Sequence, residues 1–134
     1  MIVQGDDVLA WVRENTADSL GGGAAAIGWV KNDKLVAGVA FDFYTGPNIV
    51  VHQRIDSPPP RGYWKAVADY IFTDLGCERA TGLIEECDQD AIICTEHIGF
   101  VEEGRMKAAA RDGSDIIIYV LWKQDCKMLN WRKT

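Results

Sequence analysis

His52 and the acidic run at residues 85–90 are the parts of the sequence best suited to acid–base chemistry. His52 lies in a segment rich in β-branched residues, and an imidazole with a pKa of about 6.5 can take up a proton near neutral pH. The competing interpretation is a half-buried strand histidine with a satisfied hydrogen bond. The acidic run (EECDQD), which offers Glu85 and Glu86 as further bases, either attracts a cationic group or favours the positive end of a helix beginning near Asp88.

The four cysteines, Cys77, Cys87, Cys94 and Cys126, are separated by long and irregular gaps, with no C-x-x-C pair. This spacing argues against a zinc site, and we expect no metal ion. Cys94 and His97 lie one helical turn apart, but a cysteine nucleophile needs more than that spacing. We therefore interpret all four as small apolar residues of a protein in a reducing compartment.

The composition is that of one globular domain spanning residues 1–134, with 14 Lys and Arg against 20 Asp and Glu and a net charge of −6. An acidic surface repels phosphates, which disfavours non-specific nucleic-acid binding. No apolar run approaches the roughly 20 residues of a membrane span, and residues 1–10 lack the basic start of a signal peptide. We therefore expect a cytoplasmic protein that binds neither nucleic acid nor membranes.

Hydrophobic periodicity predicts helices interleaved with strands, which indicates a mixed sheet. The predicted order is one helix, three strands, a helix, a strand, a helix and two strands, with a proline-rich loop before the second helix. Asn32-Asp33 predicts a hairpin turn, and residues 21–23 (GGG) predict a flexible joint. The predicted bounds are 6–15, 25–30, 34–44, 49–55, 63–75, 79–84, 88–97, 100–109 and 115–122.

The two ends of the chain differ in character from the middle. We predict that residues 1–23 form a short N-terminal helical lobe and that residues 123–134 form a basic C-terminal tail. We expect Met128, Leu129 and Trp131 to dock the tail on the body, with contact to an acidic partner as the alternative.

Short motifs around the second and third predicted helices resemble those of a known family. Residues 98–105 (IGFVEEGR) join a helix to a late strand, and residues 61–64 (RGYW) open the long helix, which continues through DYIF to LG. In this order, over roughly residues 26–126, the motifs resemble the GNAT (GCN5-related N-acetyltransferase) superfamily, most closely a small bacterial and bacteriophage subgroup. The resemblance implies an α/β (α+β) fold, a single domain with a mixed, mostly antiparallel GNAT-like sheet flanked by helices.

The resemblance also implies a site for acetyl-CoA as co-substrate. Family members hold the pyrophosphate with a loop of the type R/Q-x-x-G-x-G/A, which matches residues 57–62 (SPPPRG). Three of these places hold proline, which has no N–H. The expected cofactor-binding residues are therefore the amides of Arg61, Gly62, Tyr63 and Trp64, with the Arg61 guanidinium as a charged substitute.

The acetyl end of the cofactor is expected between two strands that splay apart, near residues 51–55 and 81–84. Because Ile55 lies in the first of these strands, we predict that it also binds the cofactor. Asp88 falls where relatives commonly carry asparagine, and Ala91 matches the small residue after it.

Direct attack of an amine on the thioester is the reaction that the resemblance implies. Only a neutral amine attacks, so a base is needed, for which His52 and Glu85 are the candidates. Thr95 stands where relatives use a tyrosine as general acid, so the thiolate would take its proton from Tyr119, Cys94 or water. The short N-terminal lobe suggests an open site, and hence a protein or peptide amine as acceptor.

Two further interpretations remain beside this acyltransferase. The first is a non-catalytic GNAT-like module that binds another protein, for example a phage virion part or a host-directed factor, located in the virion or the host cytoplasm. The prolines, Asp88 and Thr95 favour it. The second is a homodimer in which the apolar strand at residues 116–122 and Trp131 pair across a two-fold axis.

Overall fold

The computed structural model describes residues 1–14 and 25–131, and the glycine joint predicted at residues 21–23 lies outside these ranges. Its helices are α1 (Asp6–Arg13), α2 (Arg61–Asp69), which continues as a π-helical turn (Tyr70–Asp74), and α3 (Gln89–Ile98). Two 3₁₀ turns, Lys123–Asp125 and Lys127–Asn130, follow the last strand. The strands are β1 (Ile2–Gln4), β2 (Ala25–Lys31), β3 (Lys34–Asp42), β4 (Asn48–Ile55), β5 (Arg79–Glu85), β6 (Val101–Met106) and β7 (Ile116–Trp122).

Within the described ranges, these strands form a seven-stranded sheet in the order β1-β2-β3-β4-β5-β7-β6. Neighbouring strands run antiparallel, except for β4 and β5, which run parallel. Asn32 and Asp33 join β2 to β3 with φ values of 53° and 63°, the left-handed pair that a tight hairpin needs. The mixed, mostly antiparallel sheet expected from the sequence is confirmed.

Different helices cover the two faces of the sheet. On one face, Val8, Leu9 and Val12 of α1 pack against Ala26 and Ala40. On the other, α2 and α3 enclose the larger core with β2, β3 and β4. We call these the α1 face and the α2 face. The larger core contains Ile27, Val39, Phe41, Ile49, Tyr63, Val67, Ala68, Ile71, Phe72, Cys77, Ala80, Ile98, Leu121, Cys126 and Met128.

Helix α1 lies unusually close to the sheet because two glycines face it. A Cβ atom placed on Gly28 would lie 3.0 Å from the Val8 methyl carbons, and one on Gly38 would lie 2.8 Å from Cγ2 of Val12. The side chains of α1 therefore occupy the space that larger residues in β2 and β3 would fill.

The sequence-based bounds need three corrections. β1 was not predicted, since three residues are too few to show a strand period; its pairing with β2 is completed by the Met1 ammonium, which donates to the Val30 carbonyl at 2.9 Å. α2 begins at Arg61 rather than residue 63, because Pro60 already has the extended conformation of a residue that precedes a helix. The strand predicted over 100–109 ends at Met106.

The described part of the C-terminal tail, residues 123–131, docks on the body, as the sequence predicts. Met128 and Cys126 are 3% and 4% exposed and belong to the larger core, and Leu129 and Trp131 pack against it. In residues 1–14 and 25–131, no helix combines the length and apolarity needed to cross a membrane.

We expect Gly38→Ala to destabilise the protein. Its new methyl group would meet Val12 and Val8 of a helix already packed on the sheet, and such overpacking costs about 1–3 kcal/mol. Thermal unfolding should show a midpoint lower by several degrees. Gly104→Ala is the matched control, since its Cβ would lie 3.9 Å from Ile118, an ordinary contact. Equal midpoints for Gly38→Ala and wild type would contradict the close approach of α1.

Candidate active site

β4 and β5 stop pairing before either strand ends. Their parallel ladder covers only residues 48–51 and 79–82. Beyond it, β4 continues along β3 to Ile55, and β5 continues along β7 to Glu85. We call the unpaired stretch, residues 52–55 and 83–85, the splay. It lies where the sequence analysis expected the thioester.

Two helices begin at the end of the sheet where the splay opens. α2 follows β4 through residues 56–60, and α3 follows β5 through residues 86–88. Because β4 and β5 are parallel, their carboxyl ends lie together, and so do the starts of the two helices. The carboxyl ends of parallel strands are a common place for ligands in α/β folds.

The start of α2 has backbone donors to offer. Among the described residues, no acceptor bonds the amides of Arg61 and Gly62, and no side chain caps the helix. Arg61 is exposed, and Gly62 is buried behind it. The Tyr63 amide donates to the Pro60 carbonyl at 3.0 Å, which removes it from the four donors expected from the sequence.

The aromatic residues that follow are part of the core. The Tyr63 side chain is fully buried, and its hydroxyl donates to the Ile27 carbonyl at 2.7 Å. Burial raises the pKa of this phenol far above its usual value. Trp64 is half-buried and packs edge-on against the Tyr63 ring at 5.2 Å between centroids. Their side chains therefore fix α2 to the sheet.

At the start of α3, Asp88 acts as the helix cap that the sequence predicts. Its Oδ1 atom accepts a hydrogen bond from the Ala91 amide at 3.2 Å. Asp88 thereby satisfies one of the amides at the positive end of α3. This structural bond links both residues that the sequence analysis placed at the acetyl end.

On the α2 face of the splay, Gln53 meets Cys94. Side chains alternate along a strand, and Gln53 pairs with Val39 of the larger core, so it points to the α2 face. Its side chain lies next to the Cys94 thiol on α3, and burial raises the pKa of that thiol. Ile55 lies on the same face, two residues further along β4.

His52 lies on the opposite side of the splay. It pairs with Ala40, which packs against α1, so its imidazole lies on the α1 face. The side chain is half-buried, and its Nε2 atom is shielded from solvent. Arg54 follows on the same face, with its guanidinium 3.9 Å from the Trp11 ring and 2.8 Å from Glu14.

Glu85 is held by an arginine that sequence reasoning did not connect to it. The Arg111 guanidinium lies 2.7 Å from its carboxylate, and the Arg111 amide donates to it at 2.8 Å. These bonds lower the pKa of Glu85 below its ordinary value. Glu86 pairs in the same way with Arg105 at 2.6 Å. Arg105 also pairs with two further carboxylates, so the acidic run keeps a net negative charge. The lowered pKa makes Glu85 a weak base, which leaves His52 as the better candidate.

Tyr119 lies in β7 beneath α3. Its side chain is 1% exposed, and its hydroxyl donates to Glu96 at 2.9 Å. Burial and then this carboxylate raise the pKa of Tyr119 to about 12. Thr95 is buried at 4% exposure. Glu96, like Gln53, had no local sequence signal that could have identified its partner.

The four cysteines are free thiols, with Cys77 and Cys126 buried and Cys87 exposed. In the described part of the chain, no group of three or more His, Cys, Asp or Glu side chains is placed to hold a metal ion.

Structural comparison identifies the fold. A variant of spermidine N-acetyltransferase SpeG from Vibrio cholerae superposes with a TM-score of 0.73 at 16% identity, covering 97% of this chain and 98% of that one. Ribosomal-protein-S5-alanine acetyltransferase from Vibrio fischeri gives a TM-score of 0.63 at 20% identity, covering 78% of this chain. A protein of T. thermophilus assigned as an acetyltransferase gives 0.66 at 14% identity, also over 78% of this chain.

The chain spans 64% and 62% of the length of the Vibrio fischeri and T. thermophilus chains, and nearly all of the SpeG chain. No family model and no curated protein matches the sequence itself. The chain has the GNAT acetyltransferase fold, as the motifs indicated. The narrower likeness to a bacterial and bacteriophage subgroup stays a prediction.

We expect the carboxyl group of Glu85 to titrate below its usual range, and Arg111→Ala to move its pKa upwards. The physical reason is the loss of the hydrogen bonds and the positive charge of the guanidinium. Carboxyl chemical shifts followed by NMR as a function of pH would measure this. Arg105→Ala is the control, since Arg105 pairs with Glu86 instead. A Glu85 pKa near neutrality in the wild type would contradict the pairing and restore Glu85 as a base.

Proposed function

We propose that this protein is an N-acetyltransferase that moves an acetyl group from acetyl-CoA to an amine. The observation that carries the proposal is the splay between β4 and β5, with the starts of α2 and α3 beside it. The likeness to acetyltransferase structures supports it at the level of the fold.

The residues at the splay fit an acyl-CoA. The amides of Arg61 and Gly62, with the Arg61 guanidinium, suit a pyrophosphate at a helix start. The edge of β4 that faces β5 is unpaired beyond Val51, so its backbone groups are available to the amides of the pantetheine arm. Gln53 and Ile55 border this arm on the α2 face.

The two faces of the sheet separate the two substrates. α2 and α3 receive the cofactor on the α2 face, whereas His52 lies on the α1 face, where the amine would approach. Acetyl-CoA supplies an acetyl group activated as a thioester. As the amine nitrogen bonds to the carbonyl carbon, the C–S bond breaks, and His52 accepts the proton that the nitrogen loses.

The CoA thiolate that leaves needs a proton, and its donor lies on the α2 face. Tyr119 is a weak donor, because its pKa is near 12 and its hydroxyl proton is shared with Glu96. The Cys94 thiol has a pKa raised by burial and therefore stays protonated near neutral pH. Its position beside Gln53 at the splay favours Cys94, or a water, over Tyr119 as the donor.

The charges around the splay favour a cationic acceptor. Glu85 pairs with Arg111, and Arg105 is shared by Glu86, Glu102 and Asp115, so the carboxylates here outnumber the arginines that pair with them. A net negative rim attracts a protonated amine, and the peptide or protein amine expected from the sequence meets this requirement. Two of the similar structures are named for their acceptors, so a first screen would use spermidine and a peptide that begins with alanine.

We expect millimolar acetyl-CoA to raise the melting temperature by several degrees. Ligand at about 100 times its dissociation constant adds about 2.7 kcal/mol to the free energy of unfolding. Arg61→Ala should reduce the shift, because it removes the guanidinium at the first residue of α2. Arg13→Ala, which removes an exposed arginine on α1, should leave it unchanged. No shift in the wild type would contradict the proposal and favour the non-catalytic, protein-binding module.

We expect His52→Gln to lower kcat/KM by about 10²- to 10⁴-fold, as for the loss of a general base. With a histidine base, the rate rises with pH as the imidazole loses its proton. This acid limb should disappear from the pH profile of the variant. His97→Gln, which changes the other histidine at the exposed end of α3, should behave as wild type. An unchanged pH profile in His52→Gln would exclude His52 as the base.

A further inference from the structure

The segment that follows β7 packs along α2. Cys126 and Met128 are buried in the core that α2 closes, and Trp131 is half-buried against it. The Trp131 amide donates to the Met128 carbonyl at 3.1 Å, which fixes the end of the second 3₁₀ turn. The chain thus reaches the start of α2. There the centroid of the Trp131 ring lies 5.0 Å from the guanidinium carbon of Arg61.

Arg61 differs from the other arginines around the sheet. Arg54, Arg79, Arg105 and Arg111 are each paired with a carboxylate. Within residues 1–14 and 25–131, no carboxylate forms an ion pair with Arg61, although it is exposed in an acidic protein. Its contact is an aromatic ring, which binds the guanidinium without using its N–H donors.

A guanidinium stacked on a ring has less freedom than one in solvent, and its donors remain available for an oxyanion. Next to it, the Arg61 and Gly62 amides have no acceptor among the described residues. The stacked cation and the two amides together offer positive charge and N–H donors to a phosphate.

We infer that the segment after β7, residues 123–131, is part of the acyl-CoA site, with Trp131 as a positioning residue that holds Arg61 ready to contact the phosphates of the nucleotide. This inference rests on the proposed function. It extends the cofactor site beyond the α2 start to a residue that no motif of the family resemblance includes. It also gives the docked tail a role in ligand binding in addition to core packing.

The test compares two ligands that differ in their phosphates. Dissociation constants for acetyl-CoA and for S-acetylpantetheine, which lacks the nucleotide, would be measured by calorimetry. The proteins are the wild type, Trp131→Ala, Trp131→Phe, Arg61→Ala and the double variant. Trp122→Ala is the matched control, because Trp122 lies 5.2 Å from a different guanidinium, that of Arg79.

We expect Trp131→Ala to weaken acetyl-CoA binding by about three- to tenfold, the range of a partly exposed cation–π contact, and to leave S-acetylpantetheine binding unchanged. Trp131→Phe should restore most of the affinity, and Trp122→Ala should match wild type. In the Arg61→Ala background, Trp131→Ala should have no further effect, because Trp131 acts through Arg61.

Three results would overturn the inference while the proposed function stands. The first is a Trp131→Ala protein that binds acetyl-CoA as wild type does. The second is an equal loss for both ligands, which would indicate a purely structural role. The third is an undiminished effect in the Arg61→Ala background, which would indicate direct contact of Trp131 with the nucleotide. A wild type that binds neither ligand would instead refute the proposed function, and the inference with it.

Discussion

The early end of the ladder between β4 and β5 is the constraint on which the arrangement of this molecule depends. Each strand keeps its other neighbour to its last residues, β4 along β3 to Ile55 and β5 along β7 to Glu85. The sheet can therefore open in the middle without either strand losing its order. Backbone groups that face the opening lack a strand partner, and polar backbone groups need partners. The fold thus leaves room for a ligand that hydrogen-bonds to the backbone of β4 or β5 as a neighbouring strand would.

Ion pairs between residues distant in sequence hold the rim of this opening. Glu85 and Arg111 tie the end of β5 to the β6–β7 connection, and Arg54 ties the end of β4 to α1 through Trp11 and Glu14. The two strand ends are therefore bound to different parts of the molecule and not to each other. Exposed ion pairs each contribute only about 0–1 kcal/mol, so their main effect here is to fix positions.

The sequence predicted those parts of the molecule that local signals determine. The hairpin at Asn32-Asp33, the cap at Asp88 and the apolar periodicity of the strands each depend on residues close in the chain, and the short motifs indicated the GNAT fold. The pairing of Glu85 with Arg111 spans 26 residues, and that of Tyr119 with Glu96 spans 23. Their effects on acid–base chemistry required the tertiary structure, since no spacing rule brings such partners together. β1 was missed for a different reason, its length of three residues.

The proline-rich loop shows that the number of backbone N–H donors alone does not describe an anion site. Three successive prolines remove three N–H groups, which by itself weakens an anion site. The same residues have φ fixed near the value that Pro60 shows, −71°, so the chain reaches Arg61 already extended and the helix begins there abruptly. The amides of Arg61 and Gly62 are consequently held in place before any ligand arrives, and their order does not have to be created on binding. The Arg61 guanidinium, 5.0 Å from the Trp131 ring, adds a positive charge beside these two amides.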